Sequence, residues 1–239
     1  MSDNSAQSNE IKTPATSTIA SIPATFTIAP RPAKTLRVYT KRGDLGYTTM
    51  LGSSDKVPKW DSRISAYGAV VELDAHLGKV REILSNLARY KEVECPSVST
   101  SISLRFELAE DVDRIQQRLF IMSSWLARSD YLDEKPCRLN ELDKSMITDL
   151  ETSIDQMTER LPVLKNFILQ QGEGTCDIHI ARTVCRRAES RVVKVVYRAE
   201  AIGVDQYRLA IIYLNRLSDW LFTAARYYAH SVGQRDVRL

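Results

Sequence analysis

Two arginines and a glutamate spaced one helical turn apart, Arg182, Arg186 and Glu189, are the side chains of this sequence best suited to gather a polyanion. They stand in the run His179-Ile180-Ala181-Arg182-Thr183-Val184-Cys185-Arg186-Arg187-Ala188-Glu189-Ser190-Arg191. On a helix the three fall within an arc of roughly 60°, and Ile178, Ala181, Cys185, Ala188, Val192 and Val196 form an apolar stripe about a quarter turn away. Each guanidinium offers phosphate oxygens a planar fork of donors, and a carboxylate one turn further on can hold Mg²⁺ directly or through water. The commoner use of such spacing is a solvated face laced with Arg/Glu pairs, so spacing alone leaves both readings open.

Two other stretches bear on the same chemistry. In Leu214-Asn215-Arg216-Leu217-Ser218-Asp219-Trp220-Leu221-Phe222, helical periodicity puts Asn215 and Asp219 on a face with Ile212 and Phe222. An amide and a carboxylate buried among apolar neighbours need a partner. A bound polar ligand, the arginine helix, or a plain helix-to-helix hydrogen bond would each supply one. Near the N-terminus, Tyr39-Thr40-Lys41-Arg42-Gly43-Asp44-Leu45-Gly46-Tyr47-Thr48-Thr49 places two glycines where a turn can bring its amides close to phosphate, with Lys41 supplying charge. The spacing is not that of a Walker A loop, and a plain Gly-Asp turn reads equally from these residues alone.

The elements that must position these groups are helical. Val70, Leu73, Leu77, Val80 and Leu84 recur at three- and four-residue steps within 61–90, Leu108 to Leu126 repeat the pattern, and Leu142 to Leu161 give a third stripe. A fourth helix follows Gly172–Gly174 to about Ala201, and a fifth runs from about Asp205 to Tyr228. Before them, 35–51 is β-branched and glycine-punctuated, which suits an extended segment and a turn. The expectation is an all-α chain folded as a five-helix antiparallel bundle over 36–232, preceded by a disordered arm over 1–35 that is rich in Ser, Thr, Ala and Pro. A bundle with this much exposed surface is commonly covered by oligomerisation.

Composition narrows the function classes. Among 239 residues, 33 basic and 30 acidic side chains leave a net charge of +3, which gives no field that implies nucleic acid as partner. No apolar run reaches the length of a membrane span. The four cysteines, Cys95, Cys137, Cys176 and Cys185, have no metal-ligand spacing, and three histidines are too dispersed to complete a zinc site. Reduced thiols and an arm with Asp3 and Glu10 ahead of its first cation point to the cytoplasm, with the mitochondrial matrix as the alternative address.

Three separated stretches, Val38-Tyr-Thr-Lys-Arg-Gly-Asp-Leu-Gly46, Ala181-Arg-Thr-Val-Cys-Arg-Arg-Ala-Glu189 and Leu214-Asn-Arg-Leu-Ser-Asp219, resemble in order and separation the signature segments of the PduO-type ATP:cob(I)alamin adenosyltransferases. Arg63 to Gly78, with Ala66-Tyr67-Gly68 and Glu72-Leu73, resembles that family's first helix. The resemblance spans about residues 37–230. It implies a homotrimer with ATP bound between subunits and the N-terminal turn folded over the triphosphate. Carried over by position, Thr40, Lys41, Gly43, Asp44 and Gly46 form that turn, Arg186 holds phosphate, Glu189 serves Mg²⁺, Asn215 contacts the nucleotide and Arg182 sits at the subunit boundary. Phe167, at the head of Phe167-Ile168-Leu169, resembles the family residue that occupies the lower face of the corrin and keeps the dimethylbenzimidazole base off the cobalt. The implied reaction is attack of Co(I) on the 5′ carbon of ATP, which needs alignment and charge neutralisation and no general base. A reductase and an adenosylcobalamin-dependent acceptor enzyme are the implied partners of cobalamin as substrate.

The chain departs from the family pattern at particular positions. Val71 stands where an Asp usually pairs with the residue matching Arg182, and Asp74, one turn along, is the candidate substitute. Leu45 replaces a usual basic residue, Arg42 a small hydroxyl residue, and Gln170-Gln171-Gly172 a usual Pro-Gly-Gly. These departures keep open a member that binds MgATP or corrinoid without transfer. A helical protein whose arginines bind some other polyanion is the third reading.

Overall fold

The computed structural model describes residues 38–87, 98–128, 141–198 and 205–238. The chain divides into two units, Met1–Thr40 and Lys41–Leu239. Only 38–40 of the first unit are described, so the expected disordered arm over 1–35 lies outside the described residues.

The second unit contains five long helices among its described residues: α1 (Ser62–Leu87), α2 (Val98–Leu126), α3 (Ser145–Thr158), α4 (Thr175–Arg198) and α5 (Asp205–Ser231). Their apolar stripes meet in one core. Leu73, Leu77 and Leu84 of α1, Leu119 of α2, Ile178, Cys185 and Val192 of α4, and Leu214, Trp220 and Leu221 of α5 are all fully buried. α1 packs on α2 and α4, α4 on α5, and α5 on α3. Burying such stripes supplies most of a helix's stability, which local propensity alone does not.

Polar contacts fix the register of this packing. The Trp220 indole N–H donates to Ser153 Oγ (2.9 Å), and Ser153 Oγ donates in turn to Asp111 (2.7 Å), so a relay ties α5, α3 and α2. Arg216 of α5 reaches Glu151 of α3 at 3.0 Å, and Arg187 of α4 reaches Glu72 of α1 at 2.7 Å.

Two small antiparallel sheets complete the unit. β1 (Tyr47–Thr49) pairs with β2 (Lys56–Pro58), bringing Tyr47 opposite Pro58. β3 (Ile168–Leu169) pairs with β4 (Val237–Arg238), so the C-terminal tail folds back onto the segment ahead of α4. At Gly174, where φ is +74°, an added Cβ would stand 2.6 Å from the Tyr228 ring. Only glycine lets the start of α4 approach the end of α5 so closely.

Candidate functional site

α4 and α5 run side by side, and their facing stripes decide where the polar residues point. Ile178, Ala181, Cys185, Ala188, Val192 and Val196 are each fully buried, the stripe expected from the sequence. Cys185 donates its S–H to the Leu214 carbonyl at 3.3 Å. Burial, then the nearby Glu189 carboxylate, pushes this thiol far above its ordinary range, so it is neither nucleophile nor metal ligand. Arg186, the next residue, is exposed and has no hydrogen bond or ion pair among the described residues. Glu189 is half-buried and accepts a hydrogen bond from Asn215 Nδ2 across the helix pair at 3.1 Å. It enters no ion pair among the described residues, so its charge and second oxygen stay available. The alternative reading, a solvated face in which Arg182, Arg186 and Glu189 pair with one another, is not what they form among the described residues.

The α5 side differs from expectation. Asn215 and Asp219 are exposed, and Ile212 is itself 36% exposed, so this face lies at the surface rather than among buried neighbours. Asn215 takes the helix-to-helix hydrogen bond to Glu189, and Asp219 accepts from Arg216 at 3.1 Å.

One turn toward the start of α4, the Arg182 guanidinium lies over the Phe222 ring, 5.2 Å from its centroid. His179 is buried against the same ring at 6.0 Å. Burial, reinforced by the Arg182 charge, lowers the imidazole to about 4, so it is neutral near pH 7. Arg182 Nε and His179 Nδ1 are both buried without a hydrogen-bond partner among the described residues.

The N-terminal turn is built around an unusual backbone. Lys41 has φ of +59°, a left-handed conformation few non-glycine residues adopt, and Gly46 follows at +80°. Asp44 N–H donates to the Lys41 carbonyl (3.4 Å) and Gly46 N–H to that of Gly43 (3.2 Å), which closes the turn. The Leu51 N–H donates to Ala127 O at 2.7 Å and docks the hairpin on the end of α2. Lys59, not singled out from the sequence, curls over the turn: its N–H donates to Gly46 O at 2.9 Å, and its ammonium lies 2.9 Å from where a Gly43 Cβ would be. The signal that could have found it is the hairpin register, which returns the chain past the glycines directly after β2. Arg42 and Asp44 are exposed around the turn. Thr40 belongs to the first unit and is exposed.

Phe167 stands at the head of β3 with 86% of its surface exposed, an aromatic ring with no core to fill. The segment carrying it is held by the C-terminal tail. Arg226, 6% exposed, donates to Asp236 Oδ2 at 2.7 and 3.1 Å and to the Pro162 carbonyl at 2.9 Å. These two residues and the β3–β4 pairing were not anticipated, because the bundle periodicity ends before the tail begins.

The family profile described as cobalamin adenosyltransferase matches residues 38–228. The chain belongs to the cobalamin adenosyltransferase family. It is 33% identical over 207 residues to the corrinoid adenosyltransferase of Bacillus subtilis, covering 84% of this chain and 91% of that one. It is also 33% identical over 208 residues to the corrinoid adenosyltransferase MMAB of Mus musculus, covering 85% and 77%. A variant of the PduO-type ATP:corrinoid adenosyltransferase from Lactobacillus reuteri, solved in complex with cobalamin and ATP, superposes with a TM-score of 0.66 at 29% identity, over 85% of this chain and 99% of that one.

Val71 is 51% exposed and offers no charge. Asp74 is half-buried on the side of α1 that meets α2, where Gln116 donates to its backbone carbonyl at 3.1 Å, and its Oδ1 has no partner among the described residues. No group of three or more potential metal ligands occurs among the described residues, and no described helix is long and apolar enough to cross a membrane.

Proposed function

We propose that this adenosyltransferase family member transfers the 5′-deoxyadenosyl group of ATP to the cobalt of a reduced corrinoid and releases triphosphate. The observation that carries the reading is Arg186, held outward from α4 without a partner, beside a Glu189 whose charge is not spent on any arginine. Co(I) donates an electron pair to C5′ as the C5′–O5′ bond breaks, and the triphosphate leaves with that bond's pair. The cobalt ends as Co(III) bonded to carbon. The protein's tasks are to align the two reactants and to neutralise charge on the leaving group.

Arg186 and the turn of Lys41, Gly43, Asp44 and Gly46 are assigned to the triphosphate, with Lys59 as a further cation. Asn215 orients Glu189 and contacts the nucleotide. The donor set fits Mg²⁺, a hard cation held through one or two carboxylates plus phosphates: Glu189 would hold it, and it would offset phosphate charge. Phe167, projecting from β3, covers the corrin's lower face and excludes the axial base.

A homotrimer is part of this reading. The turn is docked on the end of α2, while Arg182 and His179 keep buried polar atoms unsatisfied, which supports a site completed by a neighbouring copy. A reductase and an adenosylcobalamin-dependent acceptor enzyme would be the physiological partners, and the cytoplasm the compartment, with the matrix as alternative.

The deciding experiment is incubation with MgATP and chemically reduced cobalamin, following the spectrum for adenosylcobalamin. Product formation is expected. The exposed Val71 favours one second reading, a member that binds without transferring; clear ATP binding with no product would select it.

A further inference from the structure

A cleft of about 410 Å³ opens between the Leu161–Ile168 segment and the C-terminal tail. The tail leaves α5 and is fixed at three points. Gln234 accepts a hydrogen bond from Thr175 Oγ1 at 3.0 Å, Asp236 is gripped by buried Arg226, and β4 pairs with β3. Because Arg226 also donates to the Pro162 carbonyl, one guanidinium ties both walls together. This is a formed cleft rather than a gap between loose ends.

Its charges do not cancel. Lys165, Arg226 and Arg235 line it against the single carboxylate of Asp236. Arg226 and Asp236 satisfy each other, which leaves Lys165 and Arg235 to face an incoming anion. Leu164 and Ile168 make much of the remaining wall apolar. Such a lining suits a molecule that joins one anionic group to a flat apolar ring. Phe167 lies in sequence between Asn166 and Ile168, which both line the cleft, and is not itself part of the lining.

We propose that the cleft is a subsite for the nucleotide tail of the corrinoid, with the phosphodiester against Lys165 and Arg235 and the aromatic base against Leu164 and Ile168. The proposal rests on the function given above, in which Phe167 takes the base's place beneath the cobalt. A displaced tail stays tethered to the corrin ring, and the cleft beside Phe167 offers both of its chemical features a complement. Holding the base there keeps an axial donor from the metal, which favours the reduced cobalt the reaction needs.

The test titrates the full chain, with MgATP present, with cob(II)alamin and with cob(II)inamide, which lacks the nucleotide tail. Wild type should prefer cobalamin by roughly tenfold or more, the scale of one or two charge-assisted contacts. The double variant Lys165→Glu/Arg235→Glu should lose that preference while keeping its helical circular dichroism and its stabilisation by ATP. Equal affinities in wild type, or a preference that survives in the double variant, would overturn the subsite. Wild type that binds neither corrinoid would instead overturn the transferase reading itself.

Discussion

Arg186 and Cys185 are adjacent in sequence yet opposite in environment, and the contrast sets what each can do. The thiol is sealed under the Leu214 carbonyl, and with its ionisation suppressed it should resist iodoacetamide in the native protein, reacting only after unfolding. Rapid native alkylation at Cys185 would show that the α4–α5 seam opens. Arg186 has no structural partner to lose, so Arg186→Ala should leave helicity unchanged and abolish ATP-induced thermal stabilisation, consistent with roughly a ten- to hundredfold weaker affinity for a charge-assisted contact. An ATP shift that persists in the variant removes Arg186 from the triphosphate. His179 makes a pH prediction. Its folded value of about 4 lies below the ordinary 6.5, so protonation favours the unfolded chain. Stability is fully present above about pH 6.5 and declines as pH falls toward 4, by on the order of 3 kcal/mol. Denaturant midpoints measured across that window should slope in wild type and flatten in His179→Gln.

The helices were legible because their apolar period is regular: the stripes at Val70 to Leu84, Leu108 to Leu126 and Ile178 to Val196 are the buried faces observed. Three features escaped that reasoning for separate physical reasons. Asn215 and Asp219 were expected among apolar neighbours, but Ile212 lies on the rim of the stripe and is itself exposed, so period alone misjudged the width of the buried arc. Lys59 comes near Gly43 only through the β1–β2 pairing, which no helical period encodes. The Arg226–Asp236 tie depends on a tail whose two-residue strand is too short to leave a pattern. Elements also hold one another through contacts that sequence does not reveal, such as the Trp220–Ser153–Asp111 relay. Ser153→Ala should strand the buried indole N–H and cost about 1–3 kcal/mol, measured by denaturant unfolding, while ATP binding is retained. A cost within a few tenths of a kcal/mol would mean that the indole finds another acceptor.

At the scale of the whole molecule, the question is whether one chain holds a complete site. The turn with Lys41 and Lys59 is docked on α2, and Arg186 projects from α4 unmet, so the proposed arrangement draws the turn of one copy against the arginine of the next. Mixing two inactive variants separates this from a site contained within one chain. Lys59→Ala paired with Lys41→Ala disables the turn and spares the arginine; Arg186→Ala does the reverse. In a ring of identical head-to-tail interfaces assembled at random from equal amounts of both, about a quarter of the sites would combine an intact turn with an intact arginine. Co-expressed variants should therefore recover roughly a quarter of wild-type adenosylation, although each alone is near zero. A site held within one chain would gain nothing from mixing, since every chain then carries one of the two lesions. A size measurement on the same mixture gives the number of chains in the active particle. Recovered activity in a particle of three chains supports the trimer, whereas inactivity in an assembly shown to contain both variants would place the turn and the Arg186 of one site on the same chain.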